Sequence, residues 1–243
     1  MDRIRFAGIC KEVTDKRSVK TGIGTLGEKT LHAVLKRYFE PYEKNHEVSI
    51  GGYVADIVGE NGIIEIQTGS FDKIRKKLDL FLSVAQVTVV YPVAYSKWIV
   101  RYGDETRKRK SPKTGSPYEA FRELYRIKQH LRHDNLKICI IMLDIMEYND
   151  PDSRNTGRTK GSPGKDRVPA DIREELYIEC LRDYNKLVPE SLPQLFTSEH
   201  FRKAAGTSIR NARMALNILS FTGALERVGK QGNAYLYKRT AEI

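Results

Sequence analysis

The sequence has no long apolar run and few cysteines. None of its hydrophobic stretches approaches the roughly 20 residues that a membrane-spanning helix needs, and the charged start Met1–Arg5 leads into no signal-peptide core. Cys10, Cys139 and Cys180 are odd in number and far apart, which excludes a disulfide framework and a zinc-finger pattern. We therefore expect a cytoplasmic protein with no membrane segment.

Acidic residues are outnumbered by basic ones. The 243 residues include 42 Lys and Arg against 31 Asp and Glu, which gives a net charge of +11 and an isoelectric point near 9.5. A field of this sign attracts phosphates and favours a nucleic-acid partner over a small neutral ligand. The plain alternative is a solvated basic surface that binds nothing in particular.

A polar segment divides the chain. Asn149–Pro169 is rich in Pro, Gly, Ser, Asp and Asn, and Val168 is its one aliphatic residue, so it cannot bury a core and predicts a linker. We predict a first domain over residues 1–150, a linker over 151–169 and a second domain over 170–243. A second polar stretch, Gly103–Pro117, contains Arg107-Lys108-Arg109-Lys110 and predicts a basic surface loop.

Hydrophobic periodicity gives the elements of the first domain. Ser70 is predicted to cap the second helix. The predicted helices are Glu28–Phe39, Phe71–Ala85 and Tyr118–Leu131, and the predicted strands are Glu47–Ile50, Tyr53–Val58, Ile63–Thr68, Val87–Val93, Trp98–Tyr102 and Lys137–Met146. This mixture predicts an α/β domain with a mixed central sheet flanked by helices.

Two acidic residues lie within otherwise aliphatic strands. Asn61-Gly62 is a strong turn signal, so the strands on either side form a hairpin that places Asp56 opposite either Gln67 or Glu65, depending on where the turn is centred. Neighbouring buried carboxylates repel each other, and Mg²⁺ or Mn²⁺ would remove that penalty because a hard cation prefers oxygen ligands. The alternative is an exposed sheet face on which both acids meet water.

The order of these elements resembles the PD-(D/E)xK nuclease superfamily, which includes restriction enzymes. The matching residues are Glu28 at the start of a helix, Asp56 in one strand, Glu65-Ile66-Gln67 in the next, and a helix after them. The resemblance implies a restriction endonuclease-like fold and Mg²⁺- or Mn²⁺-dependent hydrolysis of DNA. It assigns catalysis to Glu28, Asp56, Glu65 and Gln67, and metal binding to Asp56, Glu65, Glu28 and the carbonyl of Ile66.

The sequence departs from the superfamily pattern at two positions. Ala55 replaces the usual Pro, which matters little, and Gln67 replaces the usual Lys, which orients and activates the attacking water. Glutamine can position a water but carries no positive charge. Lys29 and Lys73 are candidates for supplying that charge. The alternative function is a non-catalytic DNA-binding regulator with a degenerate nuclease fold.

A second motif imitates a phosphate-binding loop. Gly22–Thr30 resembles the P-loop pattern, but Glu28 stands where the lysine should directly follow the last glycine. The apolar run Cys139–Asp144 could pass for the strand whose final Asp binds Mg²⁺ in such nucleotidases. We keep a nucleotidase as an outside alternative.

The C-terminal part combines helices with a hairpin. Its predicted elements are the helices Asp171–Leu187, Thr197–Ala205 and Ser208–Phe221, and the strands Leu225–Val228 and Ala234–Lys238. This order resembles a small winged helix-turn-helix domain with Ser208–Ser220 as its recognition helix.

The resemblance implies a DNA-binding surface, and the charge agrees, since Phe196–Arg239 has eight Lys or Arg and two acids. A winged helix used for dimerisation or protein contact is the alternative. Cutting both DNA strands usually calls for two active sites, which makes a homodimer plausible. The predicted DNA-binding residues are Lys73, Lys76, Arg202, Lys203, Ser208, Arg210, Asn211, Arg213 and Lys230.

Overall fold

The computed structural model describes residues 1–20, 30–101, 107–149 and 165–240. Several predictions fall wholly or partly outside these ranges. They are Glu28 and the start of its helix, the P-loop-like segment before Thr30, the end of the strand Trp98–Tyr102, the start of the loop Gly103–Pro117, and most of the linker 151–169. In the parts of the chain that are described, no helix is both long enough and apolar enough to cross a membrane.

A seven-stranded mixed sheet forms the centre of the protein. Its order is β1-β2-β3-β4-β6-β7, and β5 pairs with part of β4. The strands are β1 (His46–Ile50), β2 (Tyr53–Gly59), β3 (Gly62–Ile66), β4 (Val87–Arg101), β5 (Arg107–Lys110), β6 (Leu136–Asn149) and β7 (Lys165–Ile178), and two further strands, β8 (Leu225–Gln231) and β9 (Ala234–Arg239), form a separate small sheet.

Helices flank the central sheet and form the C-terminal part. The α-helices are α1 (Arg3–Lys20), α2 (Thr30–Phe39), α3 (Arg75–Val84), α4 (Phe121–Leu124), α5 (Ser198–Ala204) and α6 (Ile209–Phe221). Short 3₁₀ helices cover Glu43–Asn45, Phe71–Ile74, Pro117–Ala120, Tyr125–His130 and Leu181–Leu187. The mixed α/β class, the flanking helices and the small C-terminal sheet are as predicted.

Strand β6 shows why one stretch of sequence is apolar throughout. Ile138, Ile140 and Met142 pack into one hydrophobic core, while Cys139 and Ile141 pack into a second core on the opposite face. Side chains alternate along a strand, so a strand covered on both faces needs apolar residues at every position. The α1 and α2 helices cover the second core, and α3 with the 117–131 segment covers the first.

Strand β4 is paired along both edges. Its partner on one edge is β6, which runs parallel to it from Val87 to Arg101. Strands β3 and β5 therefore share the other edge: β3 pairs with Val87–Val90, and β5 pairs with Trp98–Arg101. The predicted strands Val87–Val93 and Trp98–Tyr102 are thus parts of one strand, bulged near Ala94.

The predicted helix Asp171–Leu187 is wrong in its first half. Residues up to Ile178 form β7, which pairs antiparallel with β6, and only Leu181–Leu187 is helical, as a 3₁₀ helix. The apolar side chains in this segment fit a helical stripe, but pairing with the exposed edge of β6 decides the outcome. Strand β7 begins at Lys165, so the predicted linker is wrong over residues 165–169, and the central sheet extends eight residues beyond the predicted domain boundary at 170.

The predicted basic loop is also more ordered than expected. Arg107–Lys110 forms strand β5 rather than a loop. The helix predicted over Phe71–Ala85 is confirmed as a 3₁₀ turn followed by α3, and the Ser70 side chain accepts a hydrogen bond from the amide of Asp72 at its start. The Tyr118–Leu131 segment is helical, mostly in 3₁₀ form.

The C-terminal helices pack on the helical segment 117–131 that covers the sheet rather than standing apart. Phe201 of α5 lies with its ring centroid 6.1 Å from that of Phe121 in α4, and both belong to the core that also contains Ile140 of β6. The small sheet gains a partner from Phe196, which exchanges two backbone hydrogen bonds with Tyr237 of β9.

We predict that Gly62→Ala destabilises the fold by about 2–4 kcal/mol. Gly62 has φ of 92°, and a Cβ there would lie 2.4 Å from the backbone oxygen of Gln86. Gly52 is the matched control, because its φ is 85° but nothing lies within 4 Å of its Cβ position. Gly52→Ala should therefore cost only about 1–2 kcal/mol of backbone strain. Urea denaturation measures both, and equal losses would contradict the prediction.

Candidate functional site

The β2–β3 hairpin brings Asp56 and Glu65 together. Its register pairs Gly59 with Gly62 and Ile57 with Ile64, so the turn is Glu60-Asn61. Of the two predicted registers, this one continues to place Asp56 opposite Glu65.

At that point the strands are joined through side chains. The amide of Ile66 donates to Oδ2 of Asp56 at 2.7 Å, and the amide of Asp56 donates to Oε1 of Glu65 at 3.3 Å. Each carboxylate thus satisfies a backbone N–H of the partner strand, which a buried peptide group requires. The two strands diverge here with a carboxylate on each side of the gap.

Two cationic or potentially cationic groups reach these acids from helices. Nζ of Lys77 in α3 lies 2.8 Å from Oε2 of Glu65, and Nε2 of His32 in α2 lies 3.2 Å from Oδ2 of Asp56. The Glu65 side chain is 1% exposed, whereas 19% of the Asp56 side chain reaches solvent. Solvent therefore reaches the carboxylate of Asp56 but almost none of the Glu65 side chain. We call Asp56, Glu65, His32 and Lys77 the carboxylate cluster.

The two acids differ in proton affinity. Burial, and then the negative charge of Asp56, raise the pKa of Glu65 to about 7, although the Lys77 ammonium acts in the opposite direction. Burial also acts to raise the pKa of Asp56, but the hydrogen bond and charge of His32, with the Ile66 amide, bring it below its usual value. At neutral pH Asp56 is ionised, and Glu65 is close to its midpoint.

Gln67 follows directly after strand β3. Its amide donates to the carbonyl of Val90 at 2.8 Å, which holds its backbone beside β4. The side chain is half-buried, and within the described ranges it makes no hydrogen bond. The side-chain amide is thus available to a water or substrate oxygen at the end of the strand.

The oxygen atoms at this site are of the chemical type that a hard divalent cation binds. Asp56 and Glu65 supply carboxylate oxygens, the ligands that Mg²⁺ and Mn²⁺ prefer. Among the residues that are described, no group of three or more His, Cys, Asp or Glu is arranged to hold a metal ion. Glu28, the third predicted acid, lies outside them.

Sequence reasoning missed Lys77 and His32. It looked to Lys29, which is outside the described ranges, and to Lys73, which is exposed on the 3₁₀ turn before α3. The available signal was the helical stripe: Lys77 lies one helical turn beyond Lys73, next to the buried Leu78, and so on the flank of the helix that meets the sheet. For His32, the signal was its place directly after buried Leu31.

Several predicted DNA-binding residues are exposed. They lie on or directly before α3 and α6, on α5 and on the β8–β9 hairpin, and Lys230 also lies 5.2 Å from the ring centroid of Tyr235. Arg202 differs because it forms an ion pair with Glu199 at 2.7 Å. The exposed residues are Lys73, Lys76, Lys203, Ser208, Arg210, Arg213 and Lys230.

The start of α6 differs from the prediction in one respect. Asn211 is buried, and its side-chain amide donates to the carbonyl of Tyr118 and to Oγ1 of Thr207, both at 2.9 Å. Ser208 caps the helix by accepting from the amide of Asn211 at 3.2 Å. Asn211 therefore holds α6 against the sheet domain and is not placed to read a base, contrary to prediction.

Asp144 does not support the nucleotidase alternative, in which it would bind Mg²⁺. This residue lies within β6, and its carboxylate accepts a hydrogen bond from Ser96 at 2.7 Å and another from Arg173. Those contacts lower its pKa against the effect of burial. Its oxygen atoms are thus engaged in holding β4, β6 and β7 together where the strands bulge.

Comparison with known proteins gives a family but no assigned activity. A family model described as "Domain of unknown function (DUF8091)" matches residues 29–179, a range that ends one residue after β7. A protein from Treponema pallidum (strain Nichols), itself named "Uncharacterized protein", is 30% identical over 221 residues, which cover 89% of this chain and 87% of that protein. No solved structure matches the chain.

We predict that Glu65→Gln changes how stability depends on pH. Folding raises the Glu65 pKa from its ordinary 4.5 to about 7, so the native state binds this proton more tightly than the unfolded chain does. The wild-type protein should lose up to about 3 kcal/mol as pH rises from 4.5 through 7. The Gln variant lacks this loss, and urea denaturation in the absence of divalent metal measures it.

Glu60→Gln is the control for that experiment. It removes a carboxylate from the exposed turn of the same hairpin, and its pH profile should parallel that of the wild type. Parallel profiles for Glu65→Gln and the wild type would contradict the raised pKa.

Proposed function

This chain belongs to the DUF8091 family, and we propose that it is a metal-dependent endonuclease that hydrolyses phosphodiester bonds in duplex DNA. One observation carries the proposal: Asp56 and Glu65 lie side by side where two strands diverge, with Nζ of Lys77 2.8 Å from Glu65. Two acids and a lysine around a solvent-reaching gap are the groups that metal-assisted phosphoryl chemistry uses.

The order of elements supports a restriction endonuclease-like fold. Helix α2 is followed by β1, by β2 with Asp56, by β3 with Glu65, and then by α3 and β4. Strands β3 and β4 are parallel and are joined through α3, so the helix after the second acid returns across the sheet. This is the order that the superfamily resemblance requires, and the restriction endonuclease-like assignment remains part of the proposal.

Each residue of the cluster has a proposed role. Asp56 and Glu65 would hold a Mg²⁺ or Mn²⁺ ion, with the carbonyl of Ile66 as a backbone ligand and Glu28 as the third acid. The ion would supply Lewis-acid charge to the scissile phosphate and lower the pKa of water. The side-chain amide of Gln67 orients the attacking water at the end of β3.

Lys77 supplies the charge that Gln67 lacks. In the superfamily pattern the lysine stands two residues after the second acid, and here that position is Gln67. Lys77 reaches the same carboxylate from α3, with its side chain 17% exposed. A fixed ammonium in a poorly solvated gap stabilises developing negative charge far more than one in water would.

We propose that the C-terminal part holds the duplex as a winged helix. Arg210, Arg213 and Asn217 are exposed at successive turns of α6, and they form one polar stripe on a helix whose other residues are buried or half-buried. Arginine side chains on such a stripe suit phosphate contacts. A homodimer, with one site for each DNA strand, belongs to the same proposal.

A second candidate is a DNA-binding regulator without activity. It is favoured by the burial of Glu65, which is 1% exposed and already bonded to Lys77. A carboxylate neutralised in this way is costly to draw away to a metal, because the ammonium would be left without its partner.

We predict that Asp56→Asn abolishes Mg²⁺- or Mn²⁺-dependent cleavage of plasmid DNA and leaves the chain folded. The amide is nearly isosteric but cannot bind a hard cation as a carboxylate does. Agarose gel electrophoresis with and without metal measures cleavage, and thermal unfolding shows whether Mn²⁺ stabilises the wild type and not the variant.

The matched control is again Glu60→Gln, whose cleavage should equal that of the wild type. If the wild type binds duplex DNA but cleaves none with either metal, the regulator is the correct function. If Asp56→Asn cleaves at the wild-type rate, the site lies elsewhere.

We predict that Lys77→Met slows cleavage about 100- to 1000-fold, the usual effect of removing one group that stabilises transition-state charge. Affinity for duplex DNA in EDTA should stay the same, because the ammonium faces Glu65 rather than the surface. Single-turnover cleavage and fluorescence anisotropy measure the two quantities.

Arg75→Gln is the control for Lys77, because it removes an exposed positive charge from the same helix. A loss of cleavage confined to Lys77→Met supports the proposed role. Equal rates for Lys77→Met and Arg75→Gln would show that Lys77 only neutralises Glu65.

A further inference from the structure

A two-stranded basic ribbon extends the central sheet beyond its core. Strand β5 is Arg107-Lys108-Arg109-Lys110, and all four residues are exposed. It pairs antiparallel with Trp98–Arg101 of β4. We call these paired segments the basic ribbon. The connecting residues 102–106, which include Asp104 and Glu105, lie outside the described ranges and are not part of it.

The two faces of the ribbon carry different cations. Lys108 and Lys110 lie on one face with Trp98, and their Nζ atoms are 4.9 and 6.0 Å from its ring centroid. Because side chains alternate along a strand, Arg107 and Arg109 point to the other face.

Few acids oppose this charge. Across the described ranges, no carboxylate lies within ion-pair distance of the four β5 side chains. Asp144 lies close enough for Lys110 to influence its pKa, but its oxygens bond to Ser96 and Arg173. The ribbon therefore presents a concentrated positive surface that no described carboxylate neutralises.

The ribbon and the carboxylate cluster share one edge of β4. The amide of Gln67 bonds to the carbonyl of Val90, and β5 begins its pairing eight residues further along, at Trp98. At about 3.3 Å per residue the separation along the strand is about 26 Å. A stretch of duplex shorter than one helical turn, which is about 34 Å, spans that distance.

We propose that the basic ribbon binds the phosphate backbone of duplex DNA. Four exposed cations match a polymer with one negative charge per roughly 1.7 Å of its axis, and a two-stranded ribbon is narrow enough to lie along a groove. The inference rests on the proposed function for the choice of DNA as the polyanion. Its location on β4 would hold the duplex against the carboxylate cluster.

The test measures binding without cleavage. Trp98 is the one tryptophan in the chain, so its fluorescence reports directly on the ribbon. Titrating the full-length protein in EDTA with a duplex of about two helical turns should change Trp98 fluorescence with the same midpoint as the anisotropy of a labelled duplex.

Lys108→Gln with Lys110→Gln should weaken binding about tenfold at low salt. It should also reduce the slope of log affinity against log salt by about 1.8, or roughly 0.9 for each lost phosphate contact. The matched control is Lys11→Gln with Lys44→Gln, which removes the same charge from exposed positions on α1 and before β1. Its slope should remain that of the wild type.

Three results would overturn the proposal: equal slopes for the ribbon and control variants, duplex binding that leaves Trp98 fluorescence unchanged, or a Trp98 response to anionic phospholipid vesicles and not to the duplex. The test is independent of catalysis. If the protein binds DNA through the ribbon but never cleaves it, this inference holds and the proposed nuclease activity is wrong. If it cleaves DNA but Trp98 does not respond, the nuclease proposal holds and this inference is wrong.

Discussion

The structure of the carboxylate cluster depends on two hydrogen bonds between side chains and backbone across the β2–β3 hairpin. Each carboxylate accepts from an amide of the opposite strand, so β2 and β3 stay attached while their main chains part. An unpaired carboxylate at this depth would cost several kcal/mol. Helices α2 and α3 also bring His32 and Lys77 to the two sides of the gap, and both groups favour the ionised carboxylates.

The same arrangement explains why the two acids behave differently. Glu65 is enclosed and shares its space with the charge of Asp56, so its pKa rises to about 7 even with Lys77 beside it. Asp56 reaches solvent, and His32 keeps it ionised. A cation that entered from the solvent side would meet an ionised Asp56 first and would then compete with Lys77 for Glu65.

Local patterns were enough to predict most of the sheet domain. The alternation around Asn61-Gly62 gave the hairpin, and the helical stripe after Ser70 gave α3. The apolar run in β6 indicated a strand buried on both faces. The hairpin alone left Asp56 opposite either Gln67 or Glu65, and the observed turn at Glu60-Asn61 decides for Glu65.

The features that could not be predicted from the sequence depend on contacts between segments that are far apart in the chain. Lys77 and His32 reach the acids only because α3 and α2 cover opposite faces of the sheet. The first half of the predicted helix Asp171–Leu187 has a pattern compatible with a helix, but β6 offers it a strand partner. Asn211 was predicted to be a surface residue of α6, yet it is buried and its side-chain amide donates to the carbonyl of Tyr118.

Strand β4 connects the parts that a nuclease would need. It is 15 residues long, about three times the common strand length, and its first part, Val87–Val93, is largely buried. Beyond Ala94 the strand is less buried: Val100 is buried and Trp98 is half-buried, while the paired β5 cations are exposed. A rigid strand positions distant groups more accurately than a loop does. The extension therefore makes physical sense if a ligand spans the distance from the carboxylate cluster to the basic ribbon.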